Sequence, residues 1–104
     1  MAFYMPQVIV GCSTSSSPCT SPFVALEFTG SGQSQPASVF RIIADGGATV
    51  LHSGVGGWTY KGAWGDYPGT SIDPTDATVV WLEGEYVKTS TSWGTAIGPA
   101  CSTC

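Results

Sequence analysis

Short apolar runs, each closed off by Gly, Pro or Ser, set the rhythm of this chain. Val8-Ile9-Val10, Phe23-Val24-Ala25-Leu26, Val39-Phe40-Arg41-Ile42-Ile43 and Val79-Val80-Trp81-Leu82 are rich in β-branched and aromatic residues, which suit a pleated strand. Nothing repeats apolar residues at i, i+3 and i+4 over three turns, so no amphipathic helix is expected. The pattern predicts strands near 4–10, 23–29, 38–44, 48–52, 70–73, 78–86 and 92–97. The fold class that follows is all-β and antiparallel.

A faint internal repeat runs through these strands. Val24-Ala25-Leu26-Glu27 aligns with Val80-Trp81-Leu82-Glu83, and Ser38-Val39-Phe40-Arg41-Ile42 with Ser92-Trp93-Gly94-Thr95-Ala96. Tyr4-Met5-Pro6-Gln7 lines up more weakly with Asp66-Tyr67-Pro68-Gly69, and the offset drifts from 62 to 54. A unit of about 50 residues with four short strands has the size of one propeller blade. The expected organisation is one domain over 1–104: a blade-like unit at 3–54, a Gly-rich link at 55–63, a second unit at 64–98 and a Cys-containing tail at 99–104.

The second unit carries a succession of motifs. Trp64-Gly65-Asp66-Tyr67 is followed by Asp73-Pro74-Thr75-Asp76, then Trp81-Leu82-Glu83-Gly84-Glu85-Tyr86 and Trp93-Gly94-Thr95-Ala96-Ile97-Gly98. This resembles the closing blade of sialidase-like (BNR-repeat) β-propellers of secreted bacterial proteins, closely over 62–98 and loosely over 3–54. The resemblance implies an incomplete propeller of about two blades, located outside the cell or at its surface. Blades of that family carry an Asp-box turn of the form S-x-D-x-G-x-T-W. Here Asp45, Gly47 and Thr49 match it, while Ile43 and Val50 replace the Ser and the Trp. The family also holds the substrate carboxylate with three arginines, and this chain has only Arg41. No complete sialidase site can be built from these residues.

Charge narrows the function further. Three cationic side chains stand against seven carboxylates in a chain of 104 residues with net charge −4. No basic stripe can form for nucleic acid, and no polybasic patch for anionic membranes. No apolar stretch is long enough to span a bilayer. Met1-Ala2-Phe3-Tyr4-Met5-Pro6 lacks a cationic n-region and a long apolar core, so an export signal is expected outside this chain.

Cys12, Cys19, Cys101 and Cys104 sit in Ser/Thr/Pro-rich loops. Local closure, Cys12 with Cys19 and Cys101 with Cys104, is the simplest disulfide pairing in an oxidising compartment. A zinc site is the rival, although the first spacing is wide and no histidine is near. Neither a metal nor any other cofactor is called for.

The remaining candidates for chemistry each have a plain structural alternative. Glu27 and Glu83 occupy equivalent repeat positions, so a carboxylate pair facing a common channel is conceivable. Glu85 and Tyr86 are neighbours in a strand and point to opposite faces, which argues against a catalytic pair. His52 has no G-x-S-x-G elbow to serve and reads as an edge histidine. Asp66, Asp73 and Asp76 offer oxygens to Ca2+, but D-P-x-D is equally a turn. We read Trp64, Asp66, Tyr67, Asp73 and Asp76 as a structural corner. Register places Trp81 and Trp93 in the core, leaving Trp58, Tyr60 and Trp64 as the candidate glycan contacts.

These readings exclude catalysis by the chain alone. The expected function is a non-catalytic structural fragment of an exported sialidase-like propeller. One alternative is a glycan- or surface-binding module acting through the 58–64 loop. Another is a part of a glycoside hydrolase whose catalytic residues lie elsewhere. The expected partners are the remainder of a larger propeller or further copies of the chain.

Overall fold

The computed structural model describes residues 2–34, 36–44, 46–55, 68–89 and 91–102. All regular structure among them is strand: β1 (Ala2–Cys12), β2 (Pro22–Ser31), β3 (Ser38–Ile43), β4 (Thr49–His52), β5 (Gly69–Ile72), β6 (Val80–Thr89) and β7 (Ser92–Ala100). The seven elements are those the apolar runs predict. Several extend further, because polar flanking residues continue a hydrogen-bonded ladder without adding to the hydrophobic signal. β7 runs through Ala100, so the tail starts after that residue and not at Pro99.

Two antiparallel meanders form in chain order. The first is a four-stranded sheet, β1-β2-β3-β4, and the second a three-stranded sheet, β5-β6-β7. The second unit therefore has one strand fewer among the described residues than a four-stranded blade. β1 breaks register between Tyr4 and Gln7, where Met5 takes a left-handed φ of 53°. That is the signature of a bulge, which bends the edge strand and increases its twist.

The two sheets pack face to face, with β2 and β3 over β6, β1 beside β5 and β4 beside β7. Phe23, Ala25, Val80, Leu82 and Ala100 form the buried centre, and Ile9, Ile43 and Leu51 pack around it. Each large aliphatic sealed there contributes about 1.5–3 kcal/mol. Backbone bonds also cross between the sheets. Val87 N donates to Ala37 O at 2.9 Å, and Val55 N donates to Val87 O at 2.8 Å. Nearby, the Thr29 hydroxyl donates to Glu85 O at 3.1 Å.

The internal repeat does not survive as an equivalence of faces. Ala25 lies in the core while its repeat partner Trp81 is exposed, and Leu82 is buried in the core while Leu26 faces away from it. A slip of one residue turns every side chain of a strand to the other face. Trp81 and Trp93, expected in the core, are 37 % and 39 % exposed on the outer side of the three-stranded sheet.

The turn after β3, where the Asp-box match falls, has its own backbone geometry. Asp45 lies outside the described residues, and the left-handed residue is Ala44, with φ 56°, rather than Gly47. Ala44 N donates to Val24 O at 2.7 Å and Gly46 N to Ile43 O at 3.0 Å, which hold the corner closed. A Cβ in that conformation costs roughly 1 kcal/mol that glycine avoids. Ala44→Gly is therefore expected to stabilise the fold by about 1 kcal/mol, read as a higher urea midpoint at unchanged slope.

Candidate functional site

Alternation along β6 sorts its side chains between two environments. Val80 and Leu82 point into the core, so Trp81 and Glu83 point outward. Trp81 is not free to swing. Its indole N–H donates to Asp73 Oδ2 at 2.8 Å, across the loop that joins β5 to β6.

That loop is organised by two aspartates. Asp73 Oδ1 accepts the backbone N–H of Thr75 at 2.8 Å, its hydroxyl at 2.8 Å, and the N–H of Asp76 at 3.0 Å. Asp76 Oδ1 accepts the N–H of Thr78 at 3.0 Å and its hydroxyl at 2.6 Å. The Trp81 indole, followed by the Thr75 amide and hydroxyl, stabilises ionised Asp73 and lowers its pKa to about 2. Both oxygens of Asp73 are thus committed to the loop, and no group of three metal-ligating side chains occurs among the described residues. The other corner residues, Trp64, Asp66 and Tyr67, lie outside the described residues, as do Trp58 and Tyr60.

Beside Trp81 is a shallow groove of about 210 Å³ lined by Gly69, Thr70, Ser71, Trp81 and Glu83. Ser71 pairs with Trp81 and Gly69 with Glu83 in the β5–β6 ladder, so the ladder itself sets the spacing of the lining groups. A Cβ on Gly69 would stand 2.9 Å from Glu83 Oε2, so the carboxylate rests over bare backbone. An indole edge, two hydroxyls and a carboxylate meet here. Sequence reasoning missed the groove by assigning Trp81 to the core. The buried alternation of Val80, Leu82 and Gly84 is the signal that finds it.

The other carboxylates lie deeper. Glu27, on β2, is 0 % exposed, and neither of its oxygens has a hydrogen-bond partner among the described residues. It lies against Gly84, where any Cβ would collide with Glu27 Oε1 and stand 2.8 Å from Val39 Cγ1. Burial, followed by repulsion from Glu83 and Glu85, raises its pKa to about 8. Glu85 is also buried. Glu27 and Glu83 therefore do not face a common open channel: one is sealed in the interior and the other lines the outer groove.

Arg41 stands opposite Glu27 in the β2–β3 ladder, yet its Nη1 donates to Pro99 O on β7 at 2.8 Å. His52 stacks on Tyr86 with ring centroids 3.9 Å apart, and its Nδ1 lies 2.9 Å from Ser53 O. Cys12 and Cys19 form a disulfide. Cys101 is also disulfide-bonded, and its expected partner, Cys104, lies outside the described residues.

No protein-family model, no curated protein and no solved structure matches this chain.

The raised pKa of Glu27 makes stability depend on pH with a definite sign. The folded state favours the protonated acid, so its contribution is complete below about 4.5 and is lost as pH rises through about 8. We expect the melting temperature of the wild type to fall across that window. Glu27→Gln, which cannot ionise, should flatten the fall, as followed by circular-dichroism melts at successive pH values.

Proposed function

We propose that the chain is a non-catalytic module of an exported protein that binds a neutral glycan against Trp81. The observation that carries this reading is the groove: a part-exposed indole held by Asp73, with the Glu83 carboxylate and the Thr70 and Ser71 hydroxyls beside it. A pyranose ring offers an apolar face for an indole to cover. Its hydroxyls donate to a carboxylate and exchange bonds with side-chain hydroxyls.

Electrostatics selects the kind of sugar. The net charge is −4, and the groove contributes a carboxylate of its own, so an anionic sugar meets repulsion. Arg41, the chain's one arginine, does not line the groove, and its Nη1 donates to Pro99 O. The non-catalytic part of this reading rests on the placement of the described glutamates. Glycoside hydrolysis needs two accessible carboxyl groups flanking one bond. Of Glu27, Glu83 and Glu85, two are buried and only Glu83 lines the groove. The Cys12–Cys19 disulfide is compatible with an oxidising, extracellular setting.

A second reading, a structural piece of a larger sialidase-like propeller, is favoured by one observation. The two meanders stack in chain order, β1 beside β5 and β2 over β6, as successive blades would.

Titration of isotope-labelled protein with neutral oligosaccharides separates the two. On the glycan reading the Trp81 indole N–H resonance shifts, and Trp81→Ala weakens binding by at least about tenfold while retaining the fold. Binding that persists in Trp81→Ala, or that is confined to sialylated glycans, would falsify it. A flat titration across neutral glycans favours the structural piece.

A further inference from the structure

We infer that the outer face of the four-stranded sheet is the contact surface of a homodimer, in which two copies meet through this face across a two-fold axis. The groove at Trp81 lies on the opposite layer, so this inference stands independently of the glycan reading.

Strand alternation builds the face. The inner positions of β2 serve the core, which leaves Val24, Leu26 and Phe28 pointing away from it. Their ladder neighbours Val8 and Val10 on β1, and Phe40 and Ile42 on β3, share that side. Phe3 closes one end, edge-on to Phe28 at 5.2 Å, while Phe28 stacks on Phe40 at 5.6 Å. Every one of these side chains is apolar. A sheet that needs only one layer over it ordinarily alternates polar residues on its far side. Here both sides are built for burial.

The outer side is nevertheless open: Phe3 and Val8 are each 61 % exposed, Val10 58 %, Val24 49 % and Val50 44 %. At these exposures the side chains present roughly 500 Å² of apolar surface, so two copies meeting through them bury about 1,000 Å², the size at which a contact reaches the range of weak, reversible biological interfaces.

Shape and charge favour a second copy as the occupant. Within the face, Phe3, Pro6, Leu26, Phe28 and Ile42 line an apolar hollow of about 390 Å³. Val10 and Val24, paired directly across β1 and β2, form a ridge towards the other end of the same strands. A two-fold axis sets the ridge of each copy into the hollow of the other, the reciprocal arrangement an isologous contact requires. Packed sheets of this kind sit about 10 Å apart and roughly 30° from alignment. The face carries no charged side chain among the described residues, so two such faces meet without burying an unpaired charge. A charged or strongly polar partner would find nothing there to pair with.

Sedimentation equilibrium tests this on the wild type and on Val10→Lys/Val24→Lys, with Val50→Lys on β4 as an independent variant. Lysine is tolerated at half-exposed strand positions in a monomer but must be desolvated in the dimer. The expected result is a wild-type mass of two chains and variant masses of one, with association weakened by at least about a hundredfold. The variants should keep the wild-type circular-dichroism spectrum. A wild type that sediments as a single chain at every concentration overturns the inference, as do folded variants that retain the double mass. A single-chain wild type that floats with phosphatidylcholine vesicles also overturns it and assigns the face to a lipid surface.

Discussion

The arrangement of the two sheets depends on what is done with one carboxyl group. Glu27 reaches from β2 across the interior onto the backbone of β6, and the only residue that admits it there is Gly84. Val39 crowds the same spot from β3. A side chain at position 84 would force the layers apart and open the contact between Leu82, Ala25 and Val80 that forms the core. The carboxyl is tolerated because it stays protonated, since an isolated buried carboxylate is far costlier than a buried neutral acid. Packing and proton occupancy are therefore one problem here, and the close approach at Gly84 is where both are solved.

Much of the fold is legible in the chain because its strands are short and sharply bounded. Apolar clusters such as Phe23–Leu26 and Val79–Leu82 locate strands by composition alone, and Gly, Pro and Ser mark the turns. Which face each residue occupies is far less legible. Along β2 both faces are apolar, so alternation carries no contrast there, and aligning β2 with β6 by residue type sets Ala25 against Trp81. That one-residue error assigned both Trp81 and Trp93 to the core and so hid the groove. The Asp73–Asp76 corner was readable because its bonds are local in sequence, spanning two or three residues. The bond from Trp81 to Asp73 spans eight residues and depends on strand direction, which no local motif encodes.

The two outward surfaces of the molecule differ in chemistry. On the three-stranded side, Trp81 and Trp93 are interspersed with Glu83, Ser71 and Thr95, a mixture suited to a ligand that is part apolar and part hydroxylated. On the four-stranded side the surface is aliphatic and aromatic throughout. The layer between them holds Glu27 and the core. One small sandwich thus keeps two chemically different surfaces apart, with roughly the thickness of two sheets between them.

The backbone bonds at Val87 have a consequence for solubility. β6 is longer than its neighbour β5, and beyond Glu83 one side of it has no strand partner within its own sheet among the described residues. Bare strand edges of that sort recruit further strands and seed fibrous aggregates. Here Ala37 O and Val55 N, both from the segments flanking the other sheet, occupy the donor and acceptor of Val87. The segments flanking the four-stranded sheet therefore guard this edge of the three-stranded one. A chain in which the two layers had not yet met would expose that vulnerable stretch, so the moment of docking is also the moment at which the molecule becomes safe from growing along its own strands.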